Sequence, residues 1–319
     1  MDTRPFERTD LLPLARFMGE NAVARWPAPT SFKSSDLAWQ LPGSAPRENI
    51  RLWFDNDLAA WAWFQPPGEL HYDIRVDLGS DHAVFGEILA WARHRRNQFE
   101  PAWPFYLSVR NMDEWREALR NPKPHPLDAL RSIVTTAHES DAVTTSVLEA
   151  AGFERLEHWQ PVYLHALEGL PEADAHFTVM PVSEAEIDQR VQLHRDAWAP
   201  GSTYDRARHD RIRAMAGIYD GDLDLVARAP DGTFASYTIA WIDPITRLGA
   251  IEPFGTHPDY RGSGASQAVI YEALRQFRAR GMRGARLGTA GFNHPAQRLY
   301  TGCGYEQVDV ERSWRLTIG

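Results

Sequence analysis

The chain has 319 residues, 43% hydrophobic and 24% charged, which is enough for two domains of roughly 150 residues, each with its own core. A net charge of −9 and a pI of 5.7 exclude a nucleic-acid binder that relies on a basic face, and suit a cationic or amine partner. The single cysteine, Cys303, excludes an intrachain disulfide and a cysteine-clustered metal site. MDTRPFERTD lacks the apolar stretch of an export signal and no run reaches membrane-spanning length, so a soluble cytoplasmic protein, monomeric or homodimeric, with no membrane or nucleic-acid partner, is expected.

In chain order, DLLPLARFMGENAV and SSDLAWQL carry apolar residues at helical spacing. NIRLWFDNDLAAWAWFQPPGELHYDIRVDL reads as three short strands, and AVFGEILAWARHRRN as a long helix. Residues 99–130, with EPAWPF and NPKPHP, read as an insertion. DAVTTSVLEAAGF then gives a short helix and ERLEHWQPVYLHAL an aromatic-rich strand. LEGLPEADA (167–175) is polar and turn-rich, which places the boundary between domains 1–170 and 171–319 there.

HFTVMPVS alternates like a strand, and Ser183 with Glu186 forms a capping box for a helix that turns Ile187, Val191 and Leu193 inward. A loop, APGSTYDR, leads to a second helix ending near residue 218. DLDLVARAPDGTFASYTIAWI is a hairpin around a Pro-Asp-Gly turn, and LGAIEPFGTHP a strand made irregular by Pro253. ASQAVIYEALRQFRARG is a helix, RGARLGTA a strand, HPAQRLYTGCG a short helix, and YEQVDVERSWRLTI closes the chain as strand. The order is β-α-α-β-β-β-α-β-α-β, a mixed α/β class, and the first half can be laid over it. Tryptophans such as Trp53, Trp61 and Trp63 are expected to fill the two cores and the contact between them.

HPDYRGSGAS (257–266) sits between a strand and a long helix. Unpaired N–H groups at the start of that helix, with the positive end of its dipole, make an anion site. Gly262 and Gly264 let the backbone approach a phosphate closely. A Rossmann fingerprint would need a third glycine and an early strand, and a phosphate-binding P-loop would need Gly-Lys-Ser/Thr.

THPDYRGSGAS…AVIYEAL followed by NHPAQRLYTGCGYEQV resembles the GNAT superfamily of N-acetyltransferases. In that family an Arg/Gln-x-x-Gly-x-Gly/Ala turn holds the pyrophosphate of acyl-coenzyme A. Arg261, Ser263 and Gly264 fall on its positions, with Gly262 and Ala265 between and Ser266 at the last position. Asn293, Ala296, Tyr300, Gly304 and Tyr305 match the family's second block. The resemblance implies two tandem GNAT-like domains, each a mixed, mostly antiparallel sheet flanked by helices. It further implies acetyl-CoA as co-substrate, no metal, and a small-molecule or peptide amine as acceptor. The first half resembles a degenerate copy: its turn, DLGSDHA, has one glycine and carries Asp77 and Asp81, which would repel a pyrophosphate.

The resemblance implies Tyr300 as general acid to the leaving thiolate, and main-chain contacts from Phe254, Gly255 and Thr256 to the acyl and pantetheine portion. Asn293 serves as a coenzyme contact or as a helix N-cap. Strand alternation puts Glu252, Phe254 and Thr256 on one face, making Glu252 the candidate base or else an edge carboxylate. His257 and Asp243 are weaker candidates for the same task. Trp198, Tyr204 and Asp205 fall in the region that shapes the family's acceptor pocket, or simply pack a loop. Cys303 reads as structural, and His94, His125, His138, His158 and His165 lack metal-ligand spacing. Two function classes follow, an N-acyltransferase and a non-catalytic acyl-CoA sensor on the same fold.

Overall fold

The structure is a computed structural model, and it describes residues 1–26, 34–44, 47–80, 82–123, 125–172 and 176–318. The first half supplies β1 (Asp2–Pro5), α1 (Leu11–Ala24), α2 (Ser34–Ser44), β2 (Ile50–Asp55), β3 (Asp57–Gln65), β4 (Glu69–Ile74) and α3 (His82–Arg96). It continues with α4 (Met112–Arg120), β5 (Arg131–His138), α5 (Ala142–Ala150) and β6 (Glu154–His165). The second half supplies β7 (Thr178–Pro181), α6 (Ile187–Ala197), α7 (Arg206–Arg213), β8 (Asp224–Arg228), β9 (Phe234–Asp243) and β10 (Leu248–Thr256). It ends with α8 (Ala265–Ala279), β11 (Gly284–Gly288), α9 (His294–Gly302) and β12 (Glu306–Ile318). The element order expected for the second half is the order observed, and the first half repeats it with α4 added.

The described strands join in a single 12-stranded sheet, ordered β1-β2-β3-β4-β5-β12-β6-β11-β10-β9-β8-β7. Each half thus lends its last strand to the other. β12 lies between β5 and β6, and β6 lies between β12 and β11, with antiparallel pairing throughout. The cores follow the same exchange. Trp314 and Leu316 of β12 pack with Trp53, Phe85 and Ile133 of the first half. Tyr163 of β6 packs with Phe277, Tyr300 and Tyr305 of the second. A further core is shared, with Trp61 and Trp63 against Ile187, Tyr204 and Trp241.

Three elements lie outside the sequence reading: β1, β5 and α4. β1 is four residues without an apolar face. α4 forms inside the 99–130 insertion because Asn111 caps it, its side chain accepting from the N–H groups of Asp113 and Glu114. The capping box of Ser183 and Glu186 is present, followed by α6. No helix among the described residues is long and apolar enough to cross a membrane.

The histidines sort into structural contacts. His158 pairs with Ser313 at 3.0 Å, His165 accepts from Leu167 N at 2.8 Å, and His125 accepts from Leu127 N at 3.2 Å. His138 Nδ1 on β5 lies 3.2 Å from Asp309 on β12, to which Ser140 also donates at 2.5 Å. Burial opposes ionisation of Asp309, yet hydrogen bonding from His138 and Ser140 holds its carboxyl at about 2. A depressed carboxyl pKa contributes stability that is present above the unfolded value and lost as pH falls from about 4 through about 2. Asp309→Asn is therefore expected to cost about 2 kcal/mol of unfolding free energy at neutral pH. Denaturant titrations at several pH values should show the difference from wild type shrinking below about pH 4.

Candidate active site

β10 and β11 run parallel from Leu248 to Ala250 against Gly284 to Arg286, and then part. The cause is a bulge between Ile251 and Phe254, which breaks the β10 register against β9. Ala250 sits opposite Trp241, whereas Phe254 and Thr256 sit opposite Thr238 and Ser236. The extra residue corrects the expected alternation: Glu252 lies within the bulge, so it does not share a simple period-two face with Phe254 and Thr256. Its carbonyl accepts from Trp241 Nε1.

The opening between the parted strands is a cleft of about 1380 Å³. Glu252, Phe254, Gly255, Thr256, Arg261, Gly262, Gly264, Ser266, Asn293 and Tyr300 all line it. Ser263 and Ala265 do not: Ser263 Oγ donates to Tyr260 O at 2.7 Å, and Ala265 is buried at the start of α8. Gly262 and Gly264 have φ of 81° and 96°, a region open to glycine and costly to other residues. Gly264 is the N-cap of α8 and has no side chain to cap it, while Ser263 Oγ accepts from Ala265 N at a long 3.4 Å. The start of the helix, with the positive end of its dipole, thus lies at the cleft through Gly264 and Ser266. A chain of hydroxyls ties this turn to the sheet: Ser266 Oγ to Thr256 Oγ1 at 2.8 Å, and Thr256 Oγ1 to Ser236 Oγ at 3.0 Å. Arg261 donates to Ala197 O at 3.1 Å.

The corresponding first-half turn is built differently. Gly79 has φ of −62°, and Asp77 is engaged by Arg75 at 2.7 Å. Asp81 lies outside the described residues.

Tyr300 is 6% exposed and packs edge-on to Tyr163 of β6 at 5.8 Å and to Phe254 at 6.4 Å. Burial, reinforced by the nearby Glu252 carboxylate, holds its hydroxyl above the ordinary tyrosine pKa, so it keeps its proton at neutral pH. Asn293 caps α9, accepting from Ala296 N at 3.4 Å, while its Nδ2 donates to Thr289 at 3.1 Å.

Other candidates lie apart or do structural work. Asp243 accepts from Ile245 N at 2.9 Å in a turn, and Asp205 caps α7 through Arg208 N at 2.7 Å. His257 accepts from Asp259 N at 3.3 Å within its own turn. Cys303 is buried, which pushes its thiol up to about 11. Trp198 and Tyr204 line the cleft; Trp198 Nε1 donates to Tyr237 at 2.9 Å, and Tyr204 pairs with His209 at 2.7 Å.

Sequence reasoning missed the far wall. The cleft runs on across the exchanged strands to Gln160 of β6, Glu311 of β12, Thr136 of β5 and Glu69 and His71 of β4, with Asp36 and Trp39 of α2 above them. Arg286 of β11 lies half-buried near Glu311, Asp36 and Glu252; desolvation lowers its proton affinity while those carboxylates oppose the loss. Burial and a hydrogen bond with Glu69 push the Tyr106 hydroxyl well up. These residues are scattered over six strands and helices and the 3-10 turn Phe105–Ser108, and no local motif links them.

Residues 187–305 match the model of the acetyltransferase (GNAT) family. That segment, within the second half of the chain, carries the sequence pattern of the GNAT family. The chain is 24% identical over 149 residues to a mycothiol acetyltransferase of Saccharomonospora viridis, a match covering 44% of this chain and 49% of that one. It is 25% identical over 148 residues to the mycothiol acetyltransferase of Actinosynnema mirum, covering 46% and 49%. The chain thus spans about half the length of the curated relatives it matches. Among solved structures, a GCN5-related N-acetyltransferase from Sphaerobacter thermophilus superposes with a TM-score of 0.60 at 17% identity, over 99% of this chain and 95% of that one. A tandem GNAT protein from the clavulanic acid biosynthesis pathway gives 0.62 at 13% identity, over 100% and 98%. The tandem GNAT fold therefore extends over the whole chain.

The close packing beside the bulge generates a stability test. A Cβ on Gly255 would lie 2.7 Å from the Tyr237 ring and 2.9 Å from Ala197 Cβ. Gly255→Ala is expected to destabilise the protein by about 1–3 kcal/mol through overpacking, read from its denaturation midpoint.

Proposed function

We propose that this protein is an N-acyltransferase that moves an acetyl group from acetyl-CoA to a primary amine, with its chemistry in residues 171–319. The observation that carries the reading is the start of α8 behind two left-handed glycines, opening into the same cleft as Tyr300. Arg261, Gly262, Gly264 and Ser266 would hold the pyrophosphate, with Ser263 and Ala265 shaping the turn. Phe254, Gly255 and Thr256 would offer main-chain groups to the acyl and pantetheine portion, and Asn293 the free part of its carboxamide. Residues 1–170 would bind no coenzyme of their own, because the turn at Asp77 lacks a left-handed glycine.

The amine must lose a proton before it attacks, since alkyl ammonium groups have pKa values of about 10. Glu252, at the bulge, is assigned that proton. The nitrogen then bonds to the thioester carbonyl carbon, the carbon–sulfur bond breaks, Tyr300 gives its proton to the departing sulfur, and the surplus proton on the new amide nitrogen leaves to restore the tyrosine. Asp36, Glu69 and Glu311 along the far wall suit an acceptor that arrives as a cation.

A thiol-release assay against a panel of amines tests the activity. Calorimetry with acetyl-CoA is expected to find one site per chain, lost in Gly264→Asp, which puts a Cβ and a negative charge at φ 96° beside the pyrophosphate. Undiminished affinity in the folded variant would place the anion site elsewhere. Tyr300→Phe keeps the ring and its packing but removes the proton donor. Its kcat is expected to fall by at least about 10²-fold, with coenzyme affinity little changed. Turnover at the wild-type rate would make Tyr300 a packing residue.

A further inference from the structure

α4 arises from the 99–130 insertion in the first half, yet it stands at the coenzyme end of the cleft. Trp115 meets Trp198 edge-on at 6.2 Å, and Leu119 lies so close over Gly201 that a Cβ there would sit 2.5 Å from its methyl carbon. Both contacts fix α4 to the loop between α6 and α7. Arg116, between them in sequence, lines the same cleft as Arg261, Gly262 and Gly264.

Arg261 donates to Ala197 O at 3.1 Å, next to the Trp198 that Trp115 meets, so the same stretch of chain holds both arginines. They are near enough that, after burial, repulsion from Arg116 is what lowers the proton affinity of Arg261. Like charges placed this way are unfavourable until an anion enters between them. Nothing else on α4 occupies Arg116 firmly. Its partner is Asp113 at 3.0 Å, a carboxylate 94% exposed, and exposed pairs three apart on a helix contribute little.

We infer that Arg116 and Arg261 form a two-arginine clamp on the diphosphate of the coenzyme, so that the half without an anion turn still takes part in holding it. This rests on reading the Gly262–Gly264 turn as the coenzyme site. Planar guanidinium groups suit phosphate oxygens because each can donate two parallel hydrogen bonds. The clamp would also explain why α4 is fastened on both sides of Arg116.

The test measures coenzyme A and 3′-dephospho-coenzyme A affinity by calorimetry for the full chain, Arg116→Gln, Arg116→Lys and Gly264→Asp. Loss of a charge-assisted contact should weaken coenzyme A binding about 10- to 100-fold in Arg116→Gln. Arg116→Lys, which keeps the charge but not the fork, should lose less. The loss should be the same for 3′-dephospho-coenzyme A, which retains the diphosphate. An unchanged affinity in Arg116→Gln would overturn the clamp, as would a loss that vanishes with the dephospho compound, which would move Arg116 to the 3′-phosphate. If Gly264→Asp abolishes binding while Arg116→Gln does not, the clamp fails and the turn stands. If neither variant changes affinity, the reading of the turn fails and the clamp falls with it. Arg116→Lys, still folded by its thermal midpoint, decides the matter should Arg116→Gln prove unstable.

Discussion

The insertion of β12 between β5 and β6 is the constraint on which the rest of the molecule depends. Backbone pairing from Glu311–His138 to Ile318–Arg131 on one side, and to β6 on the other, makes one sheet of two halves. The cleft is cut into one face of that sheet. Its near end belongs to β10 and α8, its floor to β11, β6 and β12, and its far end to β5 and β4. The Gly262–Gly264 turn without the exchanged strands would keep its left-handed glycines and lose the wall that faces it.

The edge of the cleft is held by a buried polar network. Arg190 of α6 pairs with Asp224 of β8 at 2.9 Å, both side chains fully buried, and lies 3.7 Å over the ring of Tyr237. The hydroxyl of Tyr237 meets His194 and Trp198, and burial with the adjacent Arg190 pushes His194 down to about 2, so it is neutral there. A buried ion pair adds little net stability, but losing one member strands the other. The network fixes the angle of α6, and with it the loop bearing Trp198 and Tyr204.

What was legible in the sequence was local. The Ser183–Glu186 box, the Pro-Asp-Gly hairpin and the glycines at 262 and 264 each act within a few residues, through backbone geometry that residue type dictates. The bulge was foreseen only as an irregularity at Pro253; its effect on Glu252 depends on the register against β9, which β10 alone does not reveal. The exchange was illegible for the same reason. β12 and β6 read as strands, but alternation names a face and never a partner. Glu311 and Asp36 look like ordinary surface acids until the sheet assembles them around Arg286, as does Glu69 until it meets Tyr106. Asn293 admits two readings because one carboxamide can cap the helix through its oxygen, donate one N–H to Thr289 and keep the other.

The exchange also sets an order of events during synthesis. β12 is the last of the described strands to be made, and it must enter a slot between strands some 150 residues earlier in the chain. Until then β5 and β6 present unpaired backbone edges to one another and to any neighbouring chain. A nascent chain can close its hairpins and helices as they emerge, but the floor of the cleft waits for the end, and contacts of such sequence separation form slowly. The price of a site shared by two halves is a long interval in which neither half has a finished sheet.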